Sequence, residues 1–171
     1  MDCIDVRPGY IYHIKNEYFE VAKDNMLMKN HENNAYRPTY LCLKDEKTGL
    51  LWVIPMSRRI EKYQAIIEKD IARYGSCLKI LIARHGDALS AFLLQNMFPI
   101  LPKYMDHVHT IAGIPMPVNP AVQEEIMKRF KEVRRLHSIG AKVVFPDIVR
   151  LEKLMLEEAS GESRKILLLV K

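Results

Sequence analysis

At 171 residues, 49% hydrophobic and 27% charged, the chain fits one domain over 1–171 that buries a core without disulfide staples. No stretch has the length and apolarity of a membrane span, and Asp2 and Asp5 stand where a signal sequence would begin, which points to the cytoplasm. The net charge of +5 favours a polyanionic partner, and Cys3, Cys42 and Cys77, odd in number and without C-x-x-C spacing, argue against a disulfide framework or a structural zinc site.

Pro8-Gly9 introduces a first strand over Tyr10–Ile14, and Glu17–Asp24 reads as a short helix. Residues 25–36, with Asn25, Asn30, Asn33 and Asn34 among charges, read as a mobile surface loop. Tyr40–Leu43 and Leu50–Ile54 are short apolar runs joined by the charged, glycine-closed turn Lys44–Gly49, a hairpin signal. Pro55 has no N–H and is expected to end the second strand. Ser57 then opens a segment in which Ile60, Tyr63, Ile67, Ile71 and Tyr74 recur at helical spacing, broken by Gly75-Ser76.

Cys77–Ala83 suits a buried strand, with a turn at His85-Gly86-Asp87 and a partner strand over Ala88–Leu94. Pro99 and Pro102 are expected to end that sheet, and Pro115–Val118 reads as an extended linker. Asn119 then caps a helix that begins with Pro120, carries Glu124 and Glu125 near its start, and buries Val122, Ile126, Phe130 and Val133 up to Gly140. Asp147 caps a last helix with Ile148, Leu151, Met155 and Ala159 inward and Gly161 as its end. The apolar run 166–170 is an extra strand, a helical extension or a contact with a partner. Strands followed by appended helices predict an α+β domain.

Arg58, Arg59 and Lys62 crowd the start of the Ser57 helix, where the dipole is already positive, and this suggests a site for an anion such as phosphate. Seven Lys and Arg face three acids over 57–84, and six face three over 120–142. Two such elements either line one groove for nucleic acid or are solvated helix faces. Ser57 reads as an N-cap on pattern alone, a role compatible with turning toward a phosphate. Arg37 reads as an exposed loop arginine. For Tyr18, Tyr36 and Tyr40 burial is the plain explanation and base stacking the functional one, whereas Trp52 reads as core.

His107 and His109 would share one face of a strand, but no third metal ligand is evident and Asp106 would point the other way, so they read as surface histidines. His13 is a proton carrier or a packing residue. Gln95 and Asn96 interrupt an apolar strand, to bond a base edge or to mark a bulge. There is no Walker sequence, no G-x-G-x-x-G and no acidic cluster for magnesium, which weighs against NTPases and metal-dependent nucleases.

Arg37 ahead of the first hairpin strand, Pro55-Met56-Ser57-Arg58-Arg59 at the end of the second, Gly9–Ile14 with Tyr18-Phe19 upstream, and Phe92–Ile100 ending in Met97-Phe98-Pro99-Ile100 together carry a resemblance. They resemble the endoribonuclease toxins of type III toxin–antitoxin systems, the ToxN/AbiQ/CptN group, and the CptN branch most closely, from Gly9 to Glu158. The resemblance implies an SH3-like, MazF/Kid-type strongly bent antiparallel β-barrel with an inserted helix and C-terminal helices. It implies metal-independent, sequence-selective cleavage of single-stranded RNA to 2′,3′-cyclic phosphate and 5′-hydroxyl ends, with no cofactor. Ser57 would bind the phosphate, Arg37 would offset developing charge, and Arg59 or Lys62 would add field or move a proton. Tyr18, Tyr36, Tyr40, Arg58 and Gln95 would contact RNA. The implied partner is a small structured RNA antitoxin of pseudoknot repeats in a toxin–RNA hetero-oligomer, in the setting of abortive infection and phage defence. The alternative is a non-catalytic RNA-binding translational regulator on the same barrel.

Overall fold

The computed structural model describes residues 4–170, and Cys3 lies outside them. Strand β1 (Ile11–Ile14) leads into α1 (Asn16–Ala22). Residues 25–36, expected to be a mobile loop, instead carry β2 (His31–Glu32) and β3 (Ala35–Tyr36), a small hairpin whose turn residues Asn33 and Asn34 have φ of 52° and 61°. Asparagine visits this left-handed region at low cost, and two such residues in succession supply the turn that a two-residue hairpin needs. The expected hairpin follows as β4 (Thr39–Lys44) and β5 (Leu51–Ser57), then α2 (Ile60–Tyr74). After β6 (Ile80–His85) and β7 (Ala88–Leu93) come β8 (Phe98–Ile100), β9 (Met105–Val108) and a second small hairpin, β10 (Thr110–Ile111) with β11 (Ile114–Pro115). Helices α3 (Pro120–Ser138) and α4 (Ile148–Leu169) close the chain, so the architecture is α+β.

The main sheet is antiparallel in the order β6-β7-β5-β4-β1-β9, with β8 also paired to β5. Pro55 does not end β5. The Met56 N–H donates to the Pro38 carbonyl on the β4 side, so the Pro55 nitrogen faces the other edge. On that edge β5 pairs with β8 at Leu51–Val53 and with β7 at Met56 and Ser57. The missing N–H thus falls between two ladders and costs no bond. Pro99 does not end the sheet either. It stands opposite Trp52 in β8, a strand paired only to β5, where a proline nitrogen is tolerated.

Sequence and structure agree at the starts of the last two helices. The Asn119 side chain accepts from the Ala121 N–H at 2.9 Å, and Asp147 accepts from the Arg150 N–H at 3.1 Å. Helix α4 does not stop at Gly161 but runs on to Leu169, so the start of the apolar run 166–170 is a helical extension. One interior glycine costs roughly 1 kcal/mol, which a long helix absorbs. Glu158 secures α4 to the sheet side by accepting from Lys103 at 2.7 Å and from the Tyr104 hydroxyl at 2.6 Å.

The sheet is covered on both faces, which is why its central strands read as continuous apolar runs. Tyr12, Ile14, Leu41, Leu51 and Val53 pack with Tyr18 of α1 and with Leu151 and Met155 of α4. Ile11, Tyr40, Trp52, Ile54 and Phe92 pack with Ile126, Phe130 and Val133 of α3. Helix α2 buries Tyr63 over Ile80, Ala91 and Leu93 and rests Ile60, Ile66 and Ile67 on the same cluster. That cluster reaches only its first two turns, so Ile71 and Tyr74, expected on the buried stripe, are exposed. The strand expected over Cys77–Ala83 begins at Ile80 and, at the edge of the sheet, is only partly buried. No helix among the described residues is long and apolar enough to cross a membrane.

Candidate functional site

Ser57 is the last residue of β5, held extended by its pairing with Ala91, and α2 begins three residues later. It is therefore not the N-cap. Arg59 occupies the cap position without a side-chain capping bond. The Ser57 hydroxyl accepts from the Arg59 N–H at 3.2 Å and donates to Glu32 Oε1 at 3.3 Å. The same oxygen lies 3.0 Å from Arg59 Nε, and Glu32 Oε2 lies 3.1 Å from Arg37 Nη1. Three of the four residues expected to be catalytic thus converge on one carboxylate that the sequence reading passed over.

Arg37 is not an exposed loop residue. It is buried, and it donates from Nε to the Lys29 carbonyl at 2.8 Å and from Nη1 to the Met56 carbonyl at 3.0 Å. Its guanidinium ties the β2–β3 hairpin to the end of β5. Asn30 adds a second tie by donating to the Ile14 carbonyl and to Asn16. Arg59 differs sharply, since its side chain is 61% exposed and free to change partner.

Glu32, Asn33, Ser57 and Arg59 form a shared wall between two cavities. The larger, of 620 Å³, is lined also by His13, Tyr36, Arg58, His85, Ser90 and His109 over an apolar floor of Ile11, Pro38, Met56 and Ile111. The smaller, of 320 Å³, is lined by Lys29, His31, Arg37, Lys62 and Tyr63. Arg58 and Lys62 therefore stand on opposite sides of the Glu32–Ser57 wall. No residue of 120–142 lines either cavity, so the two basic elements do not share this groove. Several α3 cations are engaged elsewhere: Arg129 with Glu125 and the Cys77 and Ile80 carbonyls, Arg135 with Glu132, and Arg134 over the Trp52 ring at 4.0 Å.

Of the three tyrosines, only Tyr36 is placed to meet a base. It is 37% exposed at the rim of the larger cavity, 4.5 Å from the His31 ring and 5.8 Å from the His13 ring. Tyr18 is buried with its hydroxyl donating to the Pro99 carbonyl, and Tyr40 is buried against Phe92, so neither offers a face for stacking. Gln95, expected to contact RNA, is buried in a single 3-10 turn and lines neither cavity. Trp52 is core, as expected.

The histidines gather as the sequence did not suggest. Strand β1 pairs with β9 so that His13 faces His107, with ring centroids 4.5 Å apart, and His13 Nε2 lies 2.9 Å from His109 Nδ1. Asp106 does not point away, for its carboxylate meets His107 Nδ1 at 2.9 Å. Burial, helped by His107 and His109, pushes the His13 pKa down to about 4. Burial lowers His109 too, helped by the positive charge of Arg58. Both are therefore neutral near pH 7. His13 Nδ1 is buried without a partner. A buried lone pair is cheaper to leave unpaired than a buried N–H, which puts the His13 proton on Nε2, donating to His109. The His109 proton then sits on Nε2, the ring atom outside that bond. Among the described residues, no three His, Cys, Asp or Glu side chains are arranged to hold a metal ion together.

Glu32 and the histidine cluster escaped the sequence reading for different reasons. The Asn33-Asn34 pair is a turn signal that would have flagged the hairpin. The histidines meet only through the β1–β9 pairing, which nothing local announces. No protein-family model and no curated protein matches this sequence.

Proposed function

We propose that this chain is a sequence-selective, metal-independent endoribonuclease acting as the toxin of a cytoplasmic RNA–protein toxin–antitoxin system. The observation that carries the reading is the convergence of Ser57, Arg37 and Arg59 on one carboxylate between two cavities. Donors that hold a carboxylate have the charge and spacing to hold a phosphodiester. A single strand laid from the larger cavity to the smaller would pass its phosphate over that wall, with Tyr36 free to stack on a base and Arg58 and Lys62 near the flanking phosphates. The 2′-hydroxyl would attack the adjacent phosphorus, giving a 2′,3′-cyclic phosphate and a 5′-hydroxyl, with positioning and charge stabilisation supplying the rate. Antiparallel pairing throughout, and a central strand that changes partners along one edge, are consistent with the SH3-like, MazF/Kid-type barrel. A structured RNA antitoxin would occupy the same groove in a toxin–RNA hetero-oligomer.

The test is cleavage of a long single-stranded RNA by purified protein in excess EDTA, beside Ser57→Ala. Cleavage by the parent and its loss in the variant, with the fold retained, support the proposal. Activity that vanishes in chelator and returns with magnesium overturns the metal-free chemistry. The non-catalytic RNA-binding reading is favoured by one observation, that the Arg37 guanidinium already has three acceptors within the protein. That reading holds if RNA is bound by the parent and recovered intact.

A further inference from the structure

We propose that Glu32 is the general base that takes the proton from the attacking 2′-hydroxyl, an inference that rests on the endoribonuclease reading. The groups at the phosphate site leave few alternatives. Arg37 and Arg59 carry guanidinium groups, which are donors with no acceptor lone pair to offer. The hydroxyl of Tyr63 is held protonated by burial. Of the histidines on the larger cavity, His13 and His109 are committed to each other through His13 Nε2 and His109 Nδ1. Among the described residues, Glu32 is the carboxylate joined to the residues that would hold the phosphate, by a hydrogen bond from Ser57 and an ion pair with Arg59. A base must reach the proton it abstracts, and an anion bound by Ser57 and Arg59 would sit beside this carboxylate.

The exposed Arg59 gives the arrangement a trigger. When a phosphodiester arrives, Arg59 turns from Glu32 to the phosphate and leaves Glu32 Oε1 open to the 2′-hydroxyl. Arg37, buried and bonded to two backbone carbonyls, stays to keep Glu32 in place. In the step itself the O2′–H proton passes to Glu32, O2′ bonds to phosphorus, and the P–O5′ bond breaks with its electron pair leaving on O5′. O5′ takes a proton from water, and Glu32 later returns its own to solvent, so atoms and charge balance.

Glu32→Gln keeps the shape and removes the basic oxygen, and cleavage is expected to fall by about 100-fold or more, with RNA binding kept. The rate of the parent should rise with pH along an acidic limb that the variant lacks. The groups facing Glu32 in that titration are Arg37, Ser57, Arg59 and Tyr63, with Lys29, His31 and Lys62 lining the cavity beside it. Formate should restore part of the cleavage to Glu32→Ala, which a merely structural role would not allow. A substrate with sulfur in place of O5′ needs no proton on its leaving group and should not rescue Glu32→Gln.

Tighter RNA binding with undiminished cleavage in Glu32→Gln would show the carboxylate to be only an internal plug and overturn the proposal. So would loss of the acidic limb in His85→Gln rather than in Glu32→Gln, since His85 is the remaining imidazole on the larger cavity. If the parent protein cleaves no RNA at all, the endoribonuclease reading itself falls, an outcome distinct from these.

Discussion

The two hairpins that meet at the candidate site are built on opposite principles. The β4–β5 hairpin is held by its backbone ladder and by apolar burial on both faces, and β5 is buried along its whole length. The β2–β3 hairpin pairs at only two positions, lies outside the main sheet, and is fastened by the side chains of Asn30, Glu32 and Arg37. Rigid backbone thus presents Ser57, and a side-chain-tethered flap presents Glu32 and Tyr36. A site formed where the two meet can hold Ser57 and Glu32 still while the exposed Arg59 changes partner.

The contrast breaks most visibly through the rigid side. Trp52 lies against Phe130 with ring centroids 5.9 Å apart and beneath Arg134, so Trp52→Ala is expected to cost about 3–5 kcal/mol in urea denaturation. A smaller value would mean that α3 collapses onto the gap. On the tethered side, Arg37→Ala should cost ~2–3 kcal/mol, because it frees two carbonyls and leaves Glu32 with one ion pair fewer. RNA cleavage should be lost as well. Unchanged stability would show that the flap does not depend on this side chain. Arg37→Lys keeps the charge without the fork and should retain part of the activity.

The smallest expected effect sharpens the contrast through pH. The unfolded His13 takes its proton near 6.5, the native one only near 4. Between those values the unfolded state binds more protons, so native stability falls as pH drops through that window. His13→Gln should flatten the slope, measured as denaturation midpoints at pH 7 and pH 4.5. His85 and His109, lowered in the same sense, should keep part of it.

What could be read from the chain follows the same division. The stripe of α3, its Asn119 cap and the β4–β5 turn were legible because each is settled within a few residues by periodicity, capping or turn chemistry. Ser57 and Arg37 were singled out by resemblance, but their surroundings were not. The cap assigned to Ser57 failed because pairing with Ala91 keeps it in the strand, and the burial of Arg37 depends on a hairpin hidden among asparagines. Tyr18 and Tyr40 are buried, the plain expectation for both, which leaves no exposed face for the RNA contacts that the resemblance implies. For Glu32 the local signal is only the Asn33-Asn34 turn beside it, and what distinguishes the side chain is the company it keeps across 25 residues of chain.

The position of Pro55 also bears on which changes of length this protein tolerates. Sliding β5 by two residues in either direction would carry the residue without an N–H into the β8 or the β7 ladder, and sliding it by one would turn every side chain to the opposite face. Insertions and deletions within 51–57 are therefore excluded even where substitutions are accepted. The proline acts as an index mark that lets the chain find a single alignment as it folds, and the hydroxyl two residues later inherits its address from that mark.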